Sequence, residues 1–488
     1  MDDDEQWTSP AGLPAGRAVA LDGRVRIWRD ASVVLGGAPW GIVRIAAAAR
    51  PFVLRLKHAG AAGLVPSPGV EHAVVDLLVP RGIVHPLPIR DHQPGNVVEV
   101  VVPAYERADL LDDCLGALRA ASPEVRIIVV DDASRSERVG DVARAHGATV
   151  IRHSVNRGPA AARNTGLDAV SAPIVAFVDA DCAVTPGWID PLVIHFDDPR
   201  IAAVAPRIRP RSSSGGVLPR YEFTRSALDM GPRPELVARG APLGYLPSAA
   251  IMIRRSAMAP LRFDEALRVG EDVDLVWRLS DAGWMVRYEP ASVVTHKIRP
   301  RLLDWARRHF DYGTSAAQLD VRHPRRLAPA RLSVWNLAIG LLVLARWPTR
   351  GRAVAAGLGV AGLSAGLLAR RLRASSVDPA VASLVVARGL VAEAGATGHL
   401  LRREWWPLGW FALACAPRSR IGRFAAAVML IPLAREWFIR RPALDPVRYV
   451  ALRLMEDAAY GTGVIASAVA DKRPGVLLPL VRMPGSRR

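Results

Sequence analysis

The sequence predicts an α/β protein centred on a parallel, doubly wound sheet between residues 94 and 320, with a small winged-helix-like unit before it and an α-helical, membrane-associated region after it. Three observations carry this. Short β-branched runs recur from residue 97 to 178 with helical spacings between them, the alternation that produces a parallel sheet covered on both faces. Carboxylates follow directly on two of these runs, at the strand ends where open α/β sheets bind ligands. From 321 to 450 the chain carries 20 arginines, 5 acidic residues and no lysine, interrupted by uncharged apolar stretches.

At 488 residues the chain suits roughly two to four domains, and we divide it at 1–93, 94–320, 321–450 and 451–488. In the first segment Val19 to Trp28 alternates about Asp22-Gly23, a hairpin turn pair. Val33-Val34-Leu35-Gly36-Gly37 gives a further strand and turn, and Ala46–Lys57 and Glu71–Leu78 have helical patterns. Pro86, Pro88 and Pro94-Gly95 mark a linker.

In the second segment Val97–Val102, Ile127–Val130, Thr149–Ile151 and Ile174–Val178 read as buried strands. Leu110–Ala121, Val139–His146 and Pro159–Ala169 are the helices between them.

In the third segment Leu332–Ala345 and Ala353–Ala369 are uncharged stretches of 14 and 17 residues with arginines at their ends. They are at or below spanning length. They read as a membrane hairpin, as helices lying in the interface with arginines reaching phosphates, or as a soluble helical cap. Further apolar stretches follow at Glu404–Pro417, where tryptophans suit an interfacial belt, and at Phe424–Leu433. The last segment has a helix near Leu452–Ala459 and a basic tail.

Most of the +18 formal charge lies in the third segment. Because apolar runs interrupt it, a lipid surface is the expected partner and a nucleic-acid interface is not. The three cysteines, Cys114, Cys182 and Cys415, lie far apart without C-x-x-C or Cys/His spacing. This predicts a reducing compartment and no structural zinc. The acidic start Met1-Asp2-Asp3-Asp4-Glu5 is not a secretory signal. The expected location is the cytoplasmic face of the cell membrane.

Three acidic motifs, an arginine turn and a histidine carry the chemistry. Asp131-Asp132 ends the second strand; these carboxylates either accept from a nucleobase N–H or ribose hydroxyl, or form an Asx turn. Asp179 and Asp181 follow Phe177-Val178 one residue apart, so on extended backbone they point to one side. Such a pair suits Mg²⁺ or Mn²⁺ with a diphosphate completing the shell. Asn156-Arg157-Gly158-Pro159 is a turn opening a helix, one turn along which Arg163 is either an anion hook for a diphosphate or an exposed helix arginine. Glu271-Asp272-Val273-Asp274 opens another helix; acid there either caps the helix or supplies Asp272 as general base toward a hydroxyl. His296, near Arg299-Pro300-Arg301, is either structural or a partner for a departing diphosphate.

In this order the residues resemble family 2 glycosyltransferases with the GT-A (Rossmann-like) fold, over roughly Val97 to Ala317 and including Val102-Pro103-Ala104-Tyr105-Glu106-Arg107. The resemblance implies an inverting, metal-dependent glycosyltransferase using a nucleotide sugar. Pro103, Tyr105, Arg107, Asp131, Asp132, Arg163, Asp179 and His296 are then donor-binding residues, Asp181 with Asp179 holds the metal, and Asp272 is the base. The Q-x-x-R-W motif of long-chain synthases is absent. Leu21–Arg26, Val34–Pro39, Pro80–Pro86 and Ala459–Gly463 extend the likeness to the glycosyltransferases of the actinobacterial mycofactocin system. That implies UDP-glucose as donor, a peptide-derived redox cofactor as acceptor and a short β-1,4-linked glucan as product, with the N-terminal unit recognising the acceptor. Two other readings are a transferase acting on a polyprenyl phosphate or envelope glycan, and a non-catalytic membrane-tethered protein binding sugar nucleotides.

Overall fold

The computed structural model describes residues 12–28, 30–87, 97–212, 214–259, 261–298, 301–335, 337–339, 350–374 and 380–482. The acidic start, most of the linker, Arg299-Pro300, the end of the 332–345 stretch and the basic tail from 483 lie outside them.

The chain forms two compact units, one of residues 1–212 with 225–298 and one of 213–224 with 299–488. The first unit begins with five short strands, β1 (Val19–Leu21), β2 (Arg26–Trp28), β3 (Val33–Gly36), β4 (Gly41–Arg44) and β5 (Val84–Pro86), and two helices, α1 (Arg50–Ala59) and α2 (Val70–Leu78). The expected hairpin about Asp22-Gly23 does not form. Val25 N–H donates to Asp22 O, but β1 pairs with β5 while β2 pairs with β3. The turn sends β2 away from β1 because β5 occupies β1's edge.

The sheet follows: β6 (Val98–Ala104), α3 (Ala108–Ala121), β7 (Ile127–Asp131), α4 (Arg138–Ala145), β8 (Thr149–Arg152), α5 (Pro159–Asp168) and β9 (Ile174–Val178). Strands β9, β6, β7 and β8 are parallel neighbours, and β6 and β9 are all but fully buried. Gly166 lets α5 close on β6, since a Cβ there would overlap the Val101 side chain.

The other half corrects the expectation of a parallel sheet. Strands β10 (Cys182–Val184), β11 (Ile201–Pro210), β12 (Glu235–Val237), β13 (Ala250–Arg254) and β14 (Met285–His296) complete a nine-stranded mixed sheet. β13 runs antiparallel to both β9 and β11, β14 is parallel to β11, and β10 is antiparallel to β14. Helix α6 (Glu271–Asp281) leads into β14. This curled mixed sheet is the GT-A architecture.

One continuous core runs from Leu13 and Phe52 through Val100 and Val178 to Val294. The N-terminal strands and helices therefore share their core with the sheet. Buried polar groups cross the same boundary: His85 Nε2 meets Asp22 at 3.1 Å, Arg287 donates to His85 Nδ1 at 2.7 Å, and Arg24 bridges Asp22 and Glu235. Burial pushes the Arg287 guanidinium down to about 10.

The second unit is mainly helical: α7 (Leu302–Thr314), α8 (Arg350–Ala374), α9 (Ala380–Arg402), α10 (Trp406–Ala414), α11 (Arg420–Arg440) and α12 (Pro446–Ala470). Helix α12 crosses the boundary drawn at 450/451. Gly463 allows α12 to lie against α7, because any Cβ there would overlap Phe310 O. A buried ion cluster joins α9 to α12, with Asp457 accepting from Arg402 at 3.0 Å and Arg453 at 2.6 Å.

Among the described residues α9 is the one helix long and apolar enough to cross a membrane. The sequence reading did not single it out, because Arg388 and Glu393 interrupt its apolar run. Helix α11 buries Gly422, Ala425, Met429 and Leu433, yet Ile421, Ile431, Phe438 and Ile439 on it are exposed.

Candidate active site

The site forms at the carboxyl end of the parallel strands, where chain reversals leave side chains uncommitted to the sheet. After β6, Pro103 is half-buried, while Tyr105 and Arg107 are exposed. Arg107 has φ of 25°, pairs with Asp109 at 3.1 Å and feels the charge of Asp181.

The Asp131-Asp132 pair divides its labour. Asp132 is buried, and its two oxygens are taken up internally. Oδ1 meets His153 Nδ1 at 2.7 Å and Arg157 N–H at 2.9 Å, and Oδ2 accepts from Gly158 N–H at 2.7 Å. His153 Nε2 then meets Thr165 Oγ1 at 2.9 Å. Asp132 therefore organises the 153–158 loop. Asp131 keeps more capacity: Oδ1 accepts from Ser134 N–H at 2.9 Å, while the fully buried Oδ2 has no hydrogen-bond partner among the described residues, with Arg152 Nε at 3.6 Å. A buried acceptor of this kind is costly unless something donates to it.

Arg163 is 3% exposed, donating Nη2 to Asp179 Oδ1 and Nη1 to Glu271 Oε1, both at 2.7 Å. It is an internal strut between two acidic motifs. The helix turn that places it starts at Gly158, with φ of 94°, and Pro159 at the first helical position.

Asp179 and Asp181 are each partly exposed. Asp181 Oδ2 lies 3.1 Å from His296 Nε2, which brings His296 from the end of β14 to the acidic pair. Two carboxylates and an imidazole are suitable donors for Mn²⁺ or Mg²⁺. Among the described residues no group of three or more His, Cys, Asp or Glu side chains is disposed as a metal site.

Asp272 sits in the first turn of α6 after Gly270, whose φ is 84°. Its carboxylate accepts from Ser248 N–H at 3.1 Å and Val273 N–H at 2.8 Å. Burial raises it above the usual aspartate range. Beside it, burial and the Asp272 charge push Glu271 up to about 7.

The sequence reading missed His153 and assigned no role to Glu271. His153 follows directly on β8, so the strand-end rule was the available signal. Asp274, in the same motif, is fully buried and pairs with Arg278 at 2.7 Å, a local helix contact.

Residues 99–260 match the model of the family described as Glycosyl transferase family 2. The chain is 36% identical over 482 residues to the pre-mycofactocin glycosyltransferase of Mycobacterium tuberculosis, covering 96% of this chain and 99% of that one. It is 28% identical over 198 residues to a succinoglycan biosynthesis protein of Rhizobium meliloti, covering 37% of this chain and 55% of that one. Among solved structures it is similar to a mannosyltransferase of Pyrobaculum calidifontis in complex with GDP-Man and Mn²⁺, at 16% identity and a TM-score of 0.43, covering 77% of this chain and 88% of that one.

Proposed function

Since this chain belongs to the pre-mycofactocin glycosyltransferases, members of glycosyl transferase family 2, we propose that it transfers glucose from UDP-glucose, with inversion, to a mycofactocin-type peptide-derived acceptor and extends it to a short β-1,4-glucan. The observation that carries the reading is the joining of Asp272, through Glu271 and Arg163, to Asp179 at the strand ends. It sets a base beside the carboxylates that face the donor diphosphate.

In the reaction Asp272 takes the proton of the acceptor hydroxyl as its oxygen attacks the anomeric carbon. The new C–O bond forms as the bond to the β-phosphate breaks, and UDP leaves from the opposite face. Asp131 Oδ2 accepts from the base or ribose of the donor, which satisfies its buried lone pair. Asp181 and Asp179 hold a divalent cation, which when bound offsets the charge gathering on the leaving diphosphate. His296, beside Asp181, donates to the same diphosphate. Tyr105 and Arg107 line its entrance, and Pro103 fixes the turn out of β6.

The N-terminal segment carries acceptor recognition. Its core is shared with the sheet, so a point change probes this better than a deletion. Trp40 is 41% exposed, and Trp40→Ala is expected to raise the acceptor KM severalfold with donor affinity intact. An unchanged acceptor KM removes this face from recognition.

The helical unit associates with lipid at the cytoplasmic face of the membrane. Leu408, Phe411, Ile431 and Phe438 are each more than 60% exposed on α10 and α11. Arginines 418, 420, 423, 435 and 440 border them, an arrangement suited to anionic headgroups. The same apolar surface favours a polyprenyl phosphate acceptor as the second reading.

Calorimetric titration with UDP-glucose and GDP-mannose, each with Mn²⁺, Mg²⁺ or EDTA, tests the donor. Metal-dependent binding of UDP-glucose alone supports the proposal. A preference for GDP-mannose moves the assignment to the lipid-linked reading. Binding of neither removes both donors.

A further inference from the structure

Near the end of α9 the helical unit has a cavity of about 250 Å³. Its polar lining comes from separate stretches. Arg326 lies in the segment after residue 322, His399 in the last turn of α9, Arg403 and Glu404 directly after that helix, and Tyr460 on α12. Leu327, Val464 and Val476 form an apolar wall. All of these residues belong to the helical unit, whereas the carboxylates assigned to the donor belong to the other.

Arg403 is fixed in this lining. Its guanidinium carbon lies 3.4 Å from the centroid of the Tyr460 ring, and Nη1 donates to His399 Nε2 at 3.2 Å. A guanidinium has five N–H donors, so one held by such contacts can still meet an anion. Glu404 is 8% exposed. Its Oε1 lies 3.4 Å from Arg403 Nε, while its buried Oε2 has no hydrogen-bond partner among the described residues. A buried acceptor without a donor is costly.

Two guanidinium groups outweigh the one carboxylate, so the cavity favours an anion. An occupant that satisfies the whole lining carries negative charge for the arginines and a hydroxyl that donates to Glu404 Oε2. A phosphate ester with a hydroxylated substituent has both, and arginine suits its oxygens. The volume is below the roughly 300–1,000 Å³ of pockets that enclose drug-sized molecules. It fits a headgroup and not a whole peptide-derived acceptor.

We propose that this cavity is a binding site for a hydroxylated phosphate ester, carried by the headgroup of an anionic lipid or free in solution. Helix α9 is long and apolar enough to cross a membrane, so its end is a position that a headgroup can reach. Lipid as the source rests on the membrane association proposed above, while the binding chemistry does not.

The full-length protein is titrated calorimetrically with glycerol phosphate and with inorganic phosphate. It is also sedimented with vesicles of phosphatidylcholine, with and without phosphatidylglycerol. Wild type is expected to bind glycerol phosphate more tightly than inorganic phosphate. Arg326→Gln is expected to weaken glycerol phosphate about tenfold, the loss of one charge-assisted hydrogen bond, and Arg326→Lys to recover part of it. Glu404→Ala is expected to remove the preference over inorganic phosphate. Asp181→Ala and Arg420→Gln, which lie outside the cavity, are expected to leave both affinities unchanged.

Phosphatidylglycerol-dependent sedimentation that Arg326→Gln reduces, and that glycerol phosphate competes away, identifies a lipid headgroup as the ligand. Glycerol phosphate binding that responds to Arg326→Gln and Glu404→Ala, with sedimentation unaffected, identifies a soluble ester. Affinities unmoved by Arg326→Gln, or no binding of either phosphate or vesicle by wild type, overturn the proposal. If Glu404→Ala does not fold, Arg326→Gln decides alone. A wild type that transfers no glucose removes the reaction proposed above and leaves these titrations as they stand.

Discussion

Asp272→Asn is expected to lower kcat for glucosyl transfer by about 10²- to 10⁴-fold, the range that a positioned general base contributes, while UDP-glucose and metal binding stay at the wild-type level. The amide oxygen can replace one of the two carboxylate oxygens, which accept separately from Ser248 N–H at Oδ2 and Val273 N–H at Oδ1. What disappears is a group able to take a proton. The loss should therefore fall on kcat and on kcat/KM alike, the signature of an interaction made only in the transition state. Steady-state kinetics with a fixed acceptor, together with donor calorimetry, separate the two effects. A variant retaining a tenth of wild-type kcat reassigns the base.

Asp181→Ala is expected to weaken UDP-glucose binding about tenfold or more, at least about 1.4 kcal/mol, with Mn²⁺ or Mg²⁺ present, and to leave binding in EDTA unchanged. Asp181 is partly exposed, and its Oδ2 faces His296. Removing it leaves Asp179, whose Oδ1 is already engaged by Arg163. A cation then keeps too few protein oxygens to neutralise the diphosphate. The change should appear as a lost difference between the metal and EDTA titrations. Wild-type affinity in the presence of metal moves the metal role elsewhere.

Much of this was legible from local order. The runs at Val98–Ala104, Ile127–Asp131, Thr149–Arg152 and Ile174–Val178 became the four parallel strands; unbroken β-branched runs suit the three that are buried on both faces, while Thr149–Arg152 is the partly exposed edge strand. The acidic motifs lie at strand and helix ends, where open α/β sheets bind ligands. The helix begun at Gly158-Pro159 and that begun at Gly270 were likewise announced by residues fixing the backbone at one point.

Pattern reading failed where partners are distant in sequence. Strands β11, β13 and β14 give the sheet its antiparallel half, and pairing direction depends on which edge is open when the chain returns, not on the strand's own residues. Membrane-competent length was sought in uncharged runs, and α9 escaped because its Arg388 and Glu393 break the run without shortening the helix.

By itself the sequence determined the α/β class, the order of the parallel strands along the chain and the three acidic motifs, since each is written within a few consecutive residues. Only the tertiary structure decided what those motifs do to one another. It brought Arg163 to Glu271 across 108 residues and buried it between two acidic motifs. It also spent the Asp132 carboxylate on the loop at Arg157 and Gly158. Charge and hydrogen-bond capacity are allotted by which groups meet in space, and burial sets how much each meeting counts.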